Sequence, residues 1–375
     1  MSGEGTDASP LRVGVIGVGV ISKQYFASLP KLANLKLVAV ADINEARAAE
    51  VAAEQGVVSR TVDELLASDD IDAIINLTIP AAHVEVGLRA LAAGKHVFAE
   101  KPLGLSTAEA RALIDAQSGV DANGRGLRVG SAPDTVLGTG IQTARRVVDD
   151  GTIGEVLGAA VHWSAPGHER WHPAPAFYYQ PGGGPLYDMG PYYLTSLVHL
   201  LGPVKRVSGV ARRSARERVI GSGPNQGEAI PVNVDTHITA LLQHESGVAS
   251  TVTVSFEVWA TRSPKFEVYG SLGTVAVPDP NRFSDPVEVF TAGAEDWVEV
   301  PASAGYRDAG RGYGLSDLAA ALASGTPHRA SGEIAFHVLD IMESIMTAAA
   351  SHEIVELTST AERPDIVPLS DTPAG

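Results

Sequence analysis

Gly17-Val18-Gly19-Val20-Ile21-Ser22 follows a short β-branched segment, Arg12 to Ile16, and opens an apolar-periodic stretch from Ile21 to Leu32. A strand that turns on glycines straight into a helix starts a βαβ unit, and this turn is built to receive a dinucleotide. Gly17 permits the tight turn, and Gly19 lets the backbone approach a pyrophosphate. Ser22 is small enough for close helix–strand packing, and its hydroxyl can cap the helix or touch phosphate. Val20 and Ile21 complete the turn and are counted with it as cofactor-binding residues. Asp42 closes the second strand, near the spacing of about 20 residues expected of a carboxylate that takes the ribose hydroxyls. Its charge would repel a 2′-phosphate, and Ile43 and Asn44 bring no cation, so NAD is expected ahead of NADP. The alternative role for Asp42 is to cap the helix beginning at Asn44.

Apolar strands joined by amphipathic helices continue through the first third. Strands are predicted at Leu35–Ala41, Val57–Val58, Ile71–Leu77, His96–Ala99 and Gly126–Val129. Helices are predicted at Asn44–Gln55, Val62–Ala67, Ala81–Ala93 and Thr107–Ser118. The fold class is therefore α/β, a doubly wound parallel sheet covered on both faces. After a helix at Thr139–Asp150 and an extended stretch at Gly154–Trp163 the pattern changes. Alternating segments at Val207–Arg213, Asp235–Gln243, Val248–Phe256, Lys265–Tyr269 and Thr274–Val277 predict a large open, mostly antiparallel sheet. Helices near Leu186–Leu201, Gly314–Ala323 and Glu333–Ala349 cover it, making the second domain α+β. The expected divisions are a disordered N-terminus at 1–10, a nucleotide-binding domain at 11–133, a substrate and oligomerisation domain at 134–358, and a loose tail at 359–375. Gly221–Pro231 is expected to be an exposed loop.

Composition narrows the partners. A chain of 375 residues exceeds one ordinary core, in keeping with two domains. Twenty-eight basic against forty-four acidic side chains leave a net charge of −16, which argues against nucleic acid. The absence of cysteine excludes disulfides, thiolate metal sites and a cysteine nucleophile. No apolar run approaches the roughly 20 residues of a membrane span, and Met1 to Pro10 has no signal pattern. A cytoplasmic address and no membrane partner are expected. His168, His172 and Asp188 lack metal-site spacing, so no metal is expected.

Glu100-Lys101-Pro102 lies about eighty residues beyond the glycine turn, at the C-terminal end of a buried strand, where open α/β sheets place ligands. Hydride transfer from an alcohol needs a group to take the hydroxyl proton, and a partly desolvated lysine suits that task. A surface lysine paired with Glu100 is the plainer alternative. Further on, Gly182-Gly183-Gly184-Pro185-Leu186-Tyr187-Asp188-Met189-Gly190-Pro191-Tyr192-Tyr193 sets Asp188 and Tyr192 four apart, on one side of a helix. A tyrosine hydroxyl beside an ammonium can relay a proton; capping and packing would also account for these residues. His337, on the last long helix, reads as a satisfied core or interface histidine.

Taken in order, these motifs resemble the glucose-fructose oxidoreductase / inositol dehydrogenase / MocA family. The resemblance runs from Leu11 to about Leu357. It rests on the Gly17/Gly19/Ser22 turn, on Asn76-Leu77-Thr78-Ile79-Pro80 with His83 after it, on Gly94-Lys95-His96-Val97-Phe98-Ala99-Glu100-Lys101-Pro102, and on the Gly182 to Tyr193 stretch. It implies a cis Lys101–Pro102 peptide, and a dehydrogenase or reductase of a sugar, cyclic polyol or sugar derivative. It also implies a homodimer or homotetramer formed through the C-terminal sheet. Many members carry Asp-x-x-x-His, but Tyr192 stands at the histidine position here, as in the lysine–tyrosine branch. Lys101 and Tyr192 are thus the expected proton-transfer residues, with Asp188 orienting substrate. Thr78, Pro80, His83, Glu100 and Lys101 join the cofactor-binding set, with capping or packing the equal alternative for His83; Asp134 and His172 join Lys101, Asp188 and Tyr192 around the substrate, with ordinary packing the equal alternative for His172. A redox-assisted glycosidase and a non-enzymatic NAD-binding regulator are the rival expectations.

Overall fold

A computed structural model describes residues 9–373; most of the expected disordered N-terminus, residues 1–8, lies outside the described residues. The first unit opens β1 (Leu11–Ile16), α1 (Ser22–Ser28), β2 (Leu35–Ala41), α2 (Glu45–Gln55) and β3 (Val58–Ser59). It continues α3 (Val62–Leu66), β4 (Ala73–Asn76), α4 (His83–Ala92), β5 (His96–Ala99), α5 (Thr107–Asp115) and β6 (Val129–Ser131). All six strands are parallel, in the order β3-β2-β1-β4-β5-β6. Val13, Val15, Ile74, Ile75, Val97 and Phe98 are fully buried, as strands covered on both faces require. Local chemistry sets the helix starts. Asn44 accepts the Arg47 N–H to cap α2, and Thr61 and Glu64 form a reciprocal capping box at α3. The last strand sits slightly later than predicted, and Val120 and Gly126 form only an isolated bridge.

The second unit begins with α6 (Thr139–Asp149), β7 (Val156–Ser164), α7 (Gly184–Leu201), β8 (Val204–Arg212), β9 (Glu217–Val219) and β10 (Ala229–Pro231). There follow β11 (His237–His244), β12 (Ala249–Ser255), β13 (Phe266–Gly270), β14 (Gly273–Ala276), β15 (Val287–Thr291) and β16 (Val298–Val300). The chain then returns to the first unit for α8 (Tyr313–Ser324), enters α9 (Gly332–Ser351) and ends its strands with β17 (Val355–Glu356). Nine strands form one sheet, β16-β15-β14-β13-β7-β12-β11-β8-β17, in which only the β12–β7 pair is parallel. Along β11, buried Ile238, Ala240 and Leu242 alternate with outward residues such as Leu241, so one face is core and the other open. α7 covers the buried face at β11 and β12, and at Gly209 of β8 even a Cβ would press on the Ile345 carbonyl of α9.

Three expectations need correction. The Gly221–Pro231 segment is not wholly loop: Ala229–Pro231 pairs with Glu217–Val219, and Ile220, Ile230 and Val232 bury against Tyr179 and Phe256. The expected division at 133 and the single second domain also differ, because the first unit comprises 1–138, 306–335 and 369–375 and the second 139–305 and 336–368. The cause is visible at α8, where the Gly314 Cα lies so close to the Phe98 ring of β5 that no Cβ would fit. Nor is 359–373 loose. Arg363 donates to the carbonyls of His199 (2.7 Å) and Leu200 (2.8 Å), and Val367 N–H to Gln142 (2.9 Å). Within the first unit, Arg307 N–H donates to the Ser370 carbonyl at 2.8 Å.

α9 is long and apolar enough, by composition, to cross a bilayer, yet Leu339, Ile341 and Ile345 on it are fully buried. His337, on the same helix, is satisfied: Nε2 accepts the Val204 N–H at 3.0 Å and Nδ1 meets the Ser359 hydroxyl at 2.9 Å. Burial pushes this imidazole down to about 4. The folded protein therefore holds a neutral ring that the unfolded chain would protonate near pH 6.5. Its contribution is complete above pH 6.5 and is lost as pH falls toward 4, up to about 3 kcal/mol from this ring alone. Denaturant midpoints should fall between pH 7 and pH 5, and less steeply in His337→Gln, which keeps an acceptor for Val204. Equal slopes in the two proteins would exclude His337 as the cause.

Candidate active site

In the first unit the loops after β1, β2, β4 and β5 share the C-terminal edge of neighbouring strands, the ligand edge of an open parallel sheet. Gly17 has φ +95°, and a Cβ there would lie 2.6 Å from the Leu77 carbonyl oxygen, so glycine is required. A Cβ at Gly19 would meet nothing within 4 Å, which leaves open space beside the turn. Ser22 is buried, and its hydroxyl donates to the Gly19 carbonyl at 2.8 Å, bracing the turn from within. Asp42 accepts the Val18 N–H (2.8 Å) and the Asn44 N–H (2.9 Å), tying the ends of β1 and β2 together; the cap of α2 is Asn44 itself. Around this edge three aliphatic side chains stand in the open, Val20 (90% exposed), Ile43 (98%) and Ile79 (69%). Open space at Gly19, a carboxylate at the end of β2 and bare apolar side chains fit a phosphate bridge, a ribose and flat rings respectively. Gly17, Gly19, Val20, Ile21, Ser22, Asp42, Thr78 and Pro80 would hold such a dinucleotide.

A buried framework supports the other half of this edge. Asn76, fully buried at the end of β4, donates to the His83 carbonyl at 3.0 Å and accepts from the Thr78 hydroxyl at 2.7 Å. His83 is 1% exposed, with Nδ1 2.7 Å from the Pro102 carbonyl and Nε2 3.0 Å from that of Thr78. It thus holds the β4 and β5 loops to one another through both ring nitrogens, the packing alternative rather than cofactor contact. Glu100 is likewise turned inward: one oxygen accepts the Tyr25 hydroxyl (2.8 Å), the other the Lys101 N–H (3.0 Å). Both expected binding residues act through the backbone they fix. The Lys101–Pro102 peptide is cis, as the resemblance implies, and so is Ala132–Pro133.

Asp134 is not a substrate residue. It is completely buried, and its Oδ2 accepts the N–H groups of Gly312 (2.7 Å) and Gly314 (3.2 Å) while Arg311 lies 3.6 Å from Oδ1. Burial pushes its carboxyl up, against the opposing pull of Arg311. α8 begins at Gly312 without a side-chain cap of its own, and Asp134 supplies one from across the unit.

In the second unit Asp188 and Tyr192 both lie on α7, one turn apart, with Tyr192 6% exposed. Pro191 within this helix cannot donate to the Tyr187 carbonyl, a local irregularity between the two residues. His168 Nε2 is 3.0 Å from Asp188 Oδ2, and Trp171 Nε1 donates to His168 Nδ1 at 3.2 Å. Spacing alone could not reveal that link, because the partners come from separate elements twenty positions apart. His172 lies in the same aromatic cluster, 5.4 Å from Trp171 and 5.5 Å from Phe177 and Tyr178, and its Nδ1 accepts the Ala174 N–H. Partial burial and the neighbouring His168 push its imidazole down. Among the described residues no group of three or more histidine, aspartate or glutamate side chains could hold a metal ion.

A parallel nucleotide-binding sheet followed by a broad, mostly antiparallel sheet defines a two-part dehydrogenase architecture. Family models agree: residues 11–122 match an oxidoreductase family with an NAD-binding Rossmann fold, and residues 141–276 match a GFO/IDH/MocA C-terminal domain. The dTDP-3,4-didehydro-2,6-dideoxy-alpha-D-glucose 3-reductase of Streptomyces antibioticus is 30% identical over 90% of this chain and 97% of its own. Inositol 2-dehydrogenase of Rhizobium meliloti (strain 1021) is 28% identical over 78% of this chain and 81% of its own. A structure of levoglucosan dehydrogenase with NADH and L-sorbose shares the fold, with a TM-score of 0.77, 22% identity and coverage of 94% of this chain and all of that one. The chain belongs to the GFO/IDH/MocA family of NAD-binding oxidoreductases.

Proposed function

We propose that the protein oxidises a secondary hydroxyl, or reduces the matching carbonyl, of a sugar, cyclic polyol or sugar derivative. The observation that carries this reading is the pairing of an NAD-type edge with Lys101, whose backbone Glu100 and the Pro102–His83 contact hold at the end of β5. When bound, NAD accepts or donates a hydride at nicotinamide C4. In the oxidative direction the substrate carbon gives up that hydride as its O–H bond breaks, and the hydroxyl proton passes to Lys101 or Tyr192. Asp188 accepts a hydrogen bond from a substrate hydroxyl and so helps fix the substrate's orientation. The relatives' names support the substrate class: one reduces a nucleotide-linked keto-sugar and another oxidises inositol. The open face of the nine-stranded sheet, with Val210 and Leu241 exposed, suits the expected homo-oligomer.

NADH formation, followed by its absorbance across free sugars, inositols, glycosides and nucleotide-linked sugars, tests this reading. At least one polyhydroxylated substrate should turn over, and Tyr192→Phe should slow it by about 10²-fold or more. NAD binding without turnover of any of these classes, in either direction, would overturn it.

A further inference from the structure

We propose that His168 is a positioning residue for Asp188, and that Trp171 locks it in the single tautomer that keeps Asp188 a hydrogen-bond acceptor. This rests on the reading of Asp188 as a substrate-binding residue.

The tautomer follows from the inventory of donors and acceptors. The indole N–H of Trp171 can only donate, so the Nδ1 it reaches, at 3.2 Å, carries a lone pair. In the neutral ring the proton is then on Nε2, which donates to Asp188 Oδ2 at 3.0 Å. Rotating the ring by half a turn would lose both hydrogen bonds. Neighbouring rings oppose that motion: Tyr178, Phe256, Trp171 and Trp163 have centroids 4.5, 4.7, 5.2 and 5.9 Å from the imidazole.

The turn bearing His168 is anchored from below. His168–Arg170 is a single helical turn entered through Gly167 at φ +107°, where the Glu169 carboxylate leaves no room for a Cβ. Glu169 is 4% exposed and accepts from the Tyr179 hydroxyl and, at 2.9 Å, from Arg218. Arg218 also pairs with Glu257 at 2.6 Å. Successive side chains of one turn therefore point to two tasks, Glu169 into a buried ion cluster and His168 onto Asp188. Such support gives a binding carboxylate one orientation before substrate arrives.

The same geometry separates His168 from proton transfer. An imidazole that moves a substrate proton must turn a nitrogen toward the reacting oxygen. Both nitrogens here are engaged, one by Trp171 and one by Asp188. The position Tyr192 occupies on α7 is where many members of the family carry histidine; in this chain an imidazole reaches Asp188 from a different element and with a different task.

The test uses the full-length, NAD-loaded protein with ¹⁵N-labelled histidine, recording imidazole nitrogen–proton correlations at pH 7.5. The His168 signal is assigned by its loss in His168→Gln. It should show a protonated Nε2 and a bare Nδ1, and Trp171→Phe, which removes the indole N–H but keeps an aromatic ring at a largely exposed position, should change that pattern. An Nδ1–H tautomer or an imidazolium would overturn the lock, whether or not a substrate has been found. In steady-state assays His168→Ala should raise KM about tenfold or more, as expected for a lost hydrogen bond to a charged group, with kcat within about threefold. His168→Gln, which can still donate to Asp188, should recover much of the loss. A fall in kcat matching that of Tyr192→Phe at unchanged KM would make His168 a proton-transfer residue and overturn the positioning role. Unchanged KM and kcat would overturn it as well.

Discussion

Replacing Lys101 by methionine is expected to lower kcat by about 10²- to 10⁴-fold, the range for loss of a general acid–base group, with NAD affinity changed little. The separation of the two effects comes from how the backbone is held. The Lys101 N–H donates to Glu100 at 3.0 Å, Glu100 is fixed in turn by Tyr25, and the next carbonyl, that of Pro102, meets His83 at 2.7 Å. None of these contacts uses the lysine side chain. Methionine keeps most of the aliphatic stem and deletes the ammonium, so the loop should keep its course. Steady-state NADH absorbance gives kcat, and titration calorimetry gives NAD binding. A variant that retains a third or more of the wild-type kcat would remove Lys101 from the proton path.

A second large effect is expected far from any substrate. Asp134→Ala should cost about 3–5 kcal/mol of stability, the range for breaking a buried ion pair on one side only. The substitution leaves the Gly312 and Gly314 N–H groups without their acceptor and removes the carboxylate facing Arg311, which is 6% exposed. Asp134→Asn keeps an acceptor oxygen and should lose less. Denaturant unfolding of the cofactor-free proteins measures both, and a loss below about 1 kcal/mol in the alanine variant would refute the capping role. KM of the surviving folded fraction adds a separate readout. It should not move, whereas a substrate-binding carboxylate would move it.

The contrast between these two residues shows what a sequence exposes. Lys101 follows a buried strand and precedes a proline, so its place at a ligand edge can be read within a few residues. The six parallel strands are legible for a similar reason: strands buried on both faces are near-continuous apolar runs such as Leu35–Ala41. Asp134 is misread from sequence because its partners, the backbone N–H groups of Gly312 and Gly314, lie 178 and 180 positions away. No period or turn signal reports such a pairing. The β9–β10 hairpin escapes because glycine, proline and asparagine around it look like loop, while its stability comes from Ile220, Ile230 and Val232 meeting Tyr179 and Phe256. β15 and β16 escape as well; they are short, each carries one glutamate between two valines, and they lie at one margin of the sheet. On α7 the four-residue spacing of Asp188 and Tyr192 is visible, but His168 reaches Asp188 only through tertiary packing.

The order in which the first unit is assembled has a consequence for biosynthesis. Ribosomes deliver Met1–Gly138 first, yet the same unit needs Tyr306–Ala335 and the segment beginning at Leu369. Until α8 emerges, Phe98 lacks the close cover of Gly314, and Asp134 faces neither Gly312 nor Arg311. The nascent nucleotide-binding sheet must therefore wait, with an apolar seam and an unmatched carboxylate, while Thr139–Gly305 is translated. A premature stop anywhere before α8 would strand the part of the protein that was made first.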